Sequence, residues 1–141
     1  MSSETGLIRD WNKTPPKLLW MAEGMGRGFA SISVAGGTIF TTGNVSDSQA
    51  VIAVDVAEGK VLWTSKITSS VPKHSYQGSR STPTIDGDRL FTMGGTGLLN
   101  ALNLATGDLL WQRNVIAENG ASVPDWGVSC SPLVLDSLVI V

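Results

Sequence analysis

The chain has 141 residues, a formal net charge of −2 and 42% hydrophobic residues, and charged residues make up only 16%. That length suffices for one modest domain, the charge leaves no basic stripe for nucleic acid, and no apolar run approaches the roughly 20 residues that span a bilayer. Cys130 is the only cysteine, which excludes an internal disulfide.

Residues 1–16 show no periodicity and close on Pro15-Pro16, the mark of an irregular leader, with Trp11 as its anchor. Met1 to Glu4 has neither the basic start nor the apolar stretch of a signal peptide. Lys17-Leu18-Leu19-Trp20 reads as an isolated strand. Gly24 to Gly28 is glycine-rich, but neither Gly-Lys-Ser/Thr nor a helical pattern follows, so it reads as a flexible link and not a phosphate loop.

Ser31 to Val34 begins the first hairpin, which turns at Ala35-Gly36-Gly37 and returns through Thr38 to Gly43. Asn44 to Ala50 is read as a long loop. Ala53 to Val56 is a short apolar run, as expected for a strand covered on both faces. Ala57-Glu58-Gly59-Lys60 is a tight turn whose glycine suits a positive φ, and Val61-Leu62-Trp63 is the returning strand. A long link, Thr68 to Ser81, follows.

The same order then repeats. Thr82 to Ile85 matches Ser31 to Val34, with Pro83 tolerated near a strand start. Asp86-Gly87-Asp88 is a turn and not a metal site. Ala101 to Trp111 repeats Ala53 to Trp63, with alanine, glycine, leucine and tryptophan in register 48 residues apart. A second long link, Ala117 to Cys130, leads to Ser131-Pro132-Leu133-Val134, the start of a third copy that runs to Val141.

Four strands per copy at this period is the signature of a β-propeller blade. An all-β sandwich also has evenly spaced short strands, but it does not explain a tryptophan in register. The fold class is therefore all-β: a β-propeller fragment of four-stranded antiparallel blades. Residues 31–67 and 81–115 form two complete blades, 131–141 starts the next, and 17–20 is a closing strand; together they make a partial propeller over 17–141. Trp63 and Trp111 are expected at equivalent, largely buried places, with Gly59, Gly107 and Trp20 completing the structural motif.

The pattern Ala-x-Asp-x-x-x-Gly-x-x-x-Trp at Ala53 to Trp63 resembles the tryptophan-docking motif of PQQ-like (pyrroloquinoline-quinone-like) propeller repeats, and the resemblance covers roughly residues 15–141. Asn103 and Asp108 depart from the pattern where the first copy has Asp55 and Lys60. The family includes quinoprotein dehydrogenases, a periplasmic lipoprotein of the outer-membrane barrel-insertion machinery, and exported bacterial propellers of unknown role, which this chain most resembles. The resemblance implies an exported or periplasmic protein in which further blades complete the ring.

Loop lengths locate the working surface. The turns on one face are short, whereas the links on the other are long, and long loops on a rigid scaffold tend to carry function. These links hold Lys73 and the candidate partner-binding residues His74, Tyr76, Arg80, Asp125 and Trp126. No catalytic, cofactor or metal residue is assigned. The reading is a non-catalytic binding or scaffold module for a protein, peptide or glycan. The alternative is a fragment of a PQQ-dependent dehydrogenase, and a third possibility is a sensor domain. Catalytic relatives place adjacent cysteines above the quinone and hold calcium; this chain offers only Cys130 and no matching calcium motif. The apolar tail from Leu133 to Val141 predicts that the isolated chain self-associates.

Overall fold

In a computed structural model, residues 3–73 and 76–141 are described. Two four-stranded antiparallel sheets follow one another along the chain. The first has the order β1 (Ser33–Ala35), β2 (Thr38–Val45), β3 (Ser48–Asp55), β4 (Val61–Lys66). The second has β5 (Thr84–Asp86), β6 (Arg89–Met93), β7 (Leu98–Asn103), β8 (Leu109–Asn114). A single helical turn, α1 (Val115–Glu118), opens the second link, and β9 (Leu133–Leu135) pairs with β10 (Leu138–Ile140).

The core lies between the two sheets. Phe40, Val51 and Ala53 face Leu90 and Leu102 across the seam, Ile67 from the link closes it, and Trp63 packs at its margin. β3 is buried along nearly its whole length, as its apolar run requires when both faces are covered. The two sheets repeat in detail. Phe40 and Trp63 have ring centroids 5.8 Å apart at 47°, and Phe91 and Trp111 are 6.0 Å apart at 49°. Both sheets have a bulge just after the residue paired with the tryptophan, at Ala53/Val54 and Ala101/Leu102.

The turn preceding each tryptophan also repeats. Gly59 N–H donates to Asp55 O at 2.9 Å, and Gly107 N–H to Asn103 O at 2.9 Å. Asp55 Oδ1 accepts from Glu58 N–H, and Asn103 Oδ1 accepts from Ala105 and Thr106 N–H. Either side chain supplies the oxygen that an Asx turn needs, so Asn103 preserves the turn. Both glycines have positive φ, 70° and 76°. A Cβ on Gly107 would lie 2.6 Å from Trp63 Cε3, and one on Gly59 would lie 2.6 Å from Trp20 Cε3. Trp20 and Trp63 thus each lie against a glycine turn that follows in the chain, and Trp20 Nε1–H also donates to Val56 O at 2.8 Å.

Hydroxyls join successive inner strands. Ser31 N–H donates to Thr82 Oγ1, and one copy later Thr82 N–H donates to Ser131 Oγ, both at 3.0 Å. Ser33 Oγ–H donates to Pro83 O, and Thr84 Oγ1–H to Pro132 O. The hydroxyls that open each inner strand therefore bridge between blades.

Several expectations need correction. Asn44 to Ala50 is no long loop: β2 and β3 continue through it to a two-residue turn at Ser46-Asp47, with Ser46 at φ 54°. Its polar residues suggested a loop, but Ser48 and Gln49 are buried, and Gln49 is hydrogen-bonded within the sheet stack. Lys17 to Trp20 forms no strand, because no neighbouring strand pairs with it among the described residues. The glycine segment is not a loose link. Arg27 exchanges two backbone hydrogen bonds with Asn44, and Phe29 N–H donates to Ser79 O at 2.7 Å. Its glycines permit this contact, since a Cβ on Gly26 would lie 2.2 Å from Asn44 O. Trp63 is only half-buried and Trp111 is 37% exposed, because no described glycine turn covers the Trp111 ring.

Candidate partner-binding surface

The two long links bring together residues that the sequence separates. Tyr76 comes from the first link and Trp126 from the second, and their rings stack with centroids 5.0 Å apart at 16°. Both remain accessible, at 58% and 57%. Trp126 sits on the turn closed by Gly127 N–H to Pro124 O at 2.8 Å, and Asp125 is exposed at the corner of that turn.

Arg80 is held beside this stack. Its Nη2 donates to the Tyr76 carbonyl, and its guanidinium carbon lies 5.7 Å from the centroid of the Phe29 ring. That approach is within cation–π range. Phe29 is itself exposed, on the glycine segment that Ser79 anchors through its backbone. The surface thus unites Tyr76, Trp126, Arg80 and Asp125, while His74 lies outside the described residues. Lys73 is exposed on the same link.

Phe29 was missed in the sequence, though a signal for it exists. Aligning Gly28-Phe29-Ala30-Ser31 with Ser79-Arg80-Ser81-Thr82 puts Phe29 at the place that Arg80 occupies one copy later. The isolated bridge between Gly28 and Ser79 matches that alignment.

Two concavities lie elsewhere. One, of about 480 Å³, opens on the first sheet between Trp20, Met21, Met25, Ile39 and Val54. Ile39 pairs with Val54 as Leu90 pairs with Leu102, so this concavity is the counterpart of the buried seam between the sheets. The other, about 520 Å³, lies between Trp111, Arg113, Glu118 and Val139. Hydrogen bonds from Arg113 hold the Glu118 carboxyl below its ordinary range, and the pairing raises Arg113 further. Both groups are solvent-exposed, so the pair is a surface feature.

Tryptophan, tyrosine and arginine are the residue types that dominate binding hot spots. Among the described residues no group of three or more His, Cys, Asp or Glu could hold a metal, and Cys130 stands alone and exposed.

Comparison with known proteins places this geometry in a family. BamB, the outer membrane protein assembly factor of Aliivibrio fischeri, is 33% identical over 90 residues, covering 60% of this chain and 22% of that protein. The quinohemoprotein alcohol dehydrogenase of Comamonas testosteroni superposes with a TM-score of 0.67 at 18% identity, over 87% of this chain and 18% of that one. BamB of Moraxella catarrhalis superposes with a TM-score of 0.52 at 18% identity, over 77% of this chain and 28% of that one. The chain therefore spans well under a third of the length of each relative, and the structural likenesses establish the shared β-propeller fold. The family described as outer membrane protein assembly factor BamB matches residues 1–138, and this chain belongs to it, as a PQQ-like propeller repeat protein.

Proposed function

We propose that this chain is a non-catalytic propeller module that binds a protein partner in the cell envelope through the face carrying the long links. The observation that carries the proposal is the exposed Tyr76–Trp126 stack with Arg80 fixed beside it, built from two separate links. Two exposed aromatic rings stacked on one another and a half-buried arginine bonded to the Tyr76 carbonyl form a compact anchor set, and such mutual contacts lower the entropic cost of binding. The membership of the BamB family supports a protein as the partner and the periplasm as its place. No helix of the described residues is long and apolar enough to cross a membrane. In this reading the tryptophans that lie on glycine turns string the blades together and leave the link face free for the partner.

A photo-crosslinking residue at position 126 should capture a specific envelope protein, and one at position 58, on a short turn, should not. Replacing Tyr76, Arg80 and Trp126 together with alanine should abolish capture. Capture from position 58 alone would move the working surface to the other face. The likeness to quinohemoprotein alcohol dehydrogenase motivates a second reading, a piece of a PQQ-dependent oxidoreductase. Saturable binding of quinone with calcium, accompanied by dye-linked alcohol oxidation, would establish it and overturn the scaffold proposal.

A further inference from the structure

One buried amide touches the root of the first link directly and reaches the second through Gly95. Gln49, on β3, is 1% exposed. Its backbone N–H donates to Thr68 Oγ1 at 2.8 Å, and its carbonyl accepts from Ile67 N–H at 2.8 Å. Thr68 Oγ1–H in turn donates to Ser70 O at 2.7 Å, so Gln49 braces the point where the first link leaves the sheet, beside Gln112, whose Nε2–H donates to Ile67 O at 3.3 Å. The side chain reaches the other way. Gln49 Oε1 accepts from Gly95 N–H at 2.7 Å, and Nε2–H donates to Asn44 Oδ1 at 3.2 Å. Gly95 O then accepts from Val128 N–H at 2.9 Å, two residues beyond Trp126. Pro72, buried on the first link, closes the same spot: a Cβ on Gly95 would lie 3.4 Å from Pro72 Cγ and 3.4 Å from Gln49 Oε1.

We propose that Gln49 is the positioning residue of the partner-binding surface: it fixes both links relative to the first sheet, and so brings Tyr76 and Trp126 into their stack. The inference rests on the reading of that surface as the working one, but it concerns the stack itself and can be tested without a partner. The amide is suited to the task because it accepts at Gly95 and donates at Asn44 simultaneously. A carboxylate cannot donate, and an apolar side chain can do neither. The polar groups left behind are buried, so the backbone has no water to turn to and must move. Among the described residues the two links have no strand ladder of their own between Thr68 and Ser81 or between Asn119 and Ser131, only the isolated bridge of Ser79 with Gly28. Their relative placement therefore depends on such contacts.

The test uses the whole chain labelled with 5-fluorotryptophan, with the Trp126 and Trp63 fluorine resonances assigned by Trp126→Phe and Trp63→Phe. Tyr76→Leu removes the ring current of the stack and defines the displaced position of the Trp126 resonance. Gln49→Met should carry the Trp126 resonance most of the way to that position, with Trp63 unmoved. Thr68→Val perturbs only the first link and, should Gln49→Met not fold, serves in its place with the same expected displacement. A Trp126 resonance that stays at its original position in the folded variants overturns the proposal, and so does an equal shift of Trp63, which would make Gln49 a general core residue. Neither outcome touches the binding proposal, which is tested separately: partner capture that is unaffected when Tyr76→Leu removes the stack counts against it.

Discussion

Replacing Gly107 with alanine tests the contact that joins the two sheets. The residue has φ 76°, and the new Cβ would sit 2.6 Å from Trp63 Cε3 and 2.8 Å from Cδ2. The left-handed backbone alone costs a non-glycine residue about 1–2 kcal/mol. Forcing the indole off its seat adds an overpacking cost of about 1–3 kcal/mol. Gly87 provides the internal control: its φ is 57°, and nothing lies within 4 Å of a Cβ built there. Gly87→Ala should therefore show the backbone cost alone, and Gly107→Ala should exceed it by about 1–3 kcal/mol. With a urea m-value near the middle of the usual range, about 2 kcal/mol/M, the two midpoints should differ by about 1 M. The assay is urea unfolding followed by far-UV circular dichroism, which the substitution does not itself perturb. In a Trp63→Ala background the excess should vanish, because the clash has no partner. Equal midpoints for the two glycine variants, or an excess that persists without Trp63, would refute the packing of the indole on the turn.

Trp63→Ala should cost about 3 kcal/mol, the low end for a core tryptophan, and Trp111→Ala distinctly less, since Trp111 is 37% exposed and Trp63 only half-buried; equal losses in thermal or urea unfolding would contradict the seam position of Trp63. Glu118, held below its ordinary pKa by Arg113, contributes its pairing fully above the unfolded-state pKa and loses it as pH falls through the lowered folded value. An NMR titration should thus find its midpoint below that of an ordinary glutamate, and Arg113→Gln should bring it back up; a midpoint unmoved by that substitution would disprove the pairing. Leu133, Leu135, Leu138 and Ile140 are exposed on β9 and β10, as are Leu18, Leu19 and Met21 near the leader, and exposed apolar strands associate. Light scattering should therefore show the purified 141-residue chain as more than a monomer, and a clean monomer with one cooperative unfolding transition would contradict that expectation.

The sequence by itself determined the repeat and, through it, the architecture. Ala53 to Trp63 and Ala101 to Trp111 hold the same residues at the same spacing, and the apolar runs, the glycine turns and the tryptophans have local causes: side-chain period, positive φ and ring size. The long links at Thr68 to Ser81 and Ala117 to Cys130 were legible for the same reason, since nothing periodic occupies them. What only the tertiary structure decided lies between blades. Asn44 to Ala50 has the composition of a loop, yet it extends two strands, because the β2–β3 ladder carries its backbone and Gln49 finds a partner on the next sheet. The glycine segment before Ser31 reads as slack, yet it lies backbone against backbone on β2, a contact with residues far along the chain such as Thr42 and Asn44. Tyr76 and Trp126 were each visible as link residues, but their stacking was not, and neither was the place of Phe29 under Arg80. Local spacing fixes which face a side chain takes within its own sheet. Which partner it meets across a seam depends on the twist and separation of two sheets, and no short stretch of sequence encodes that.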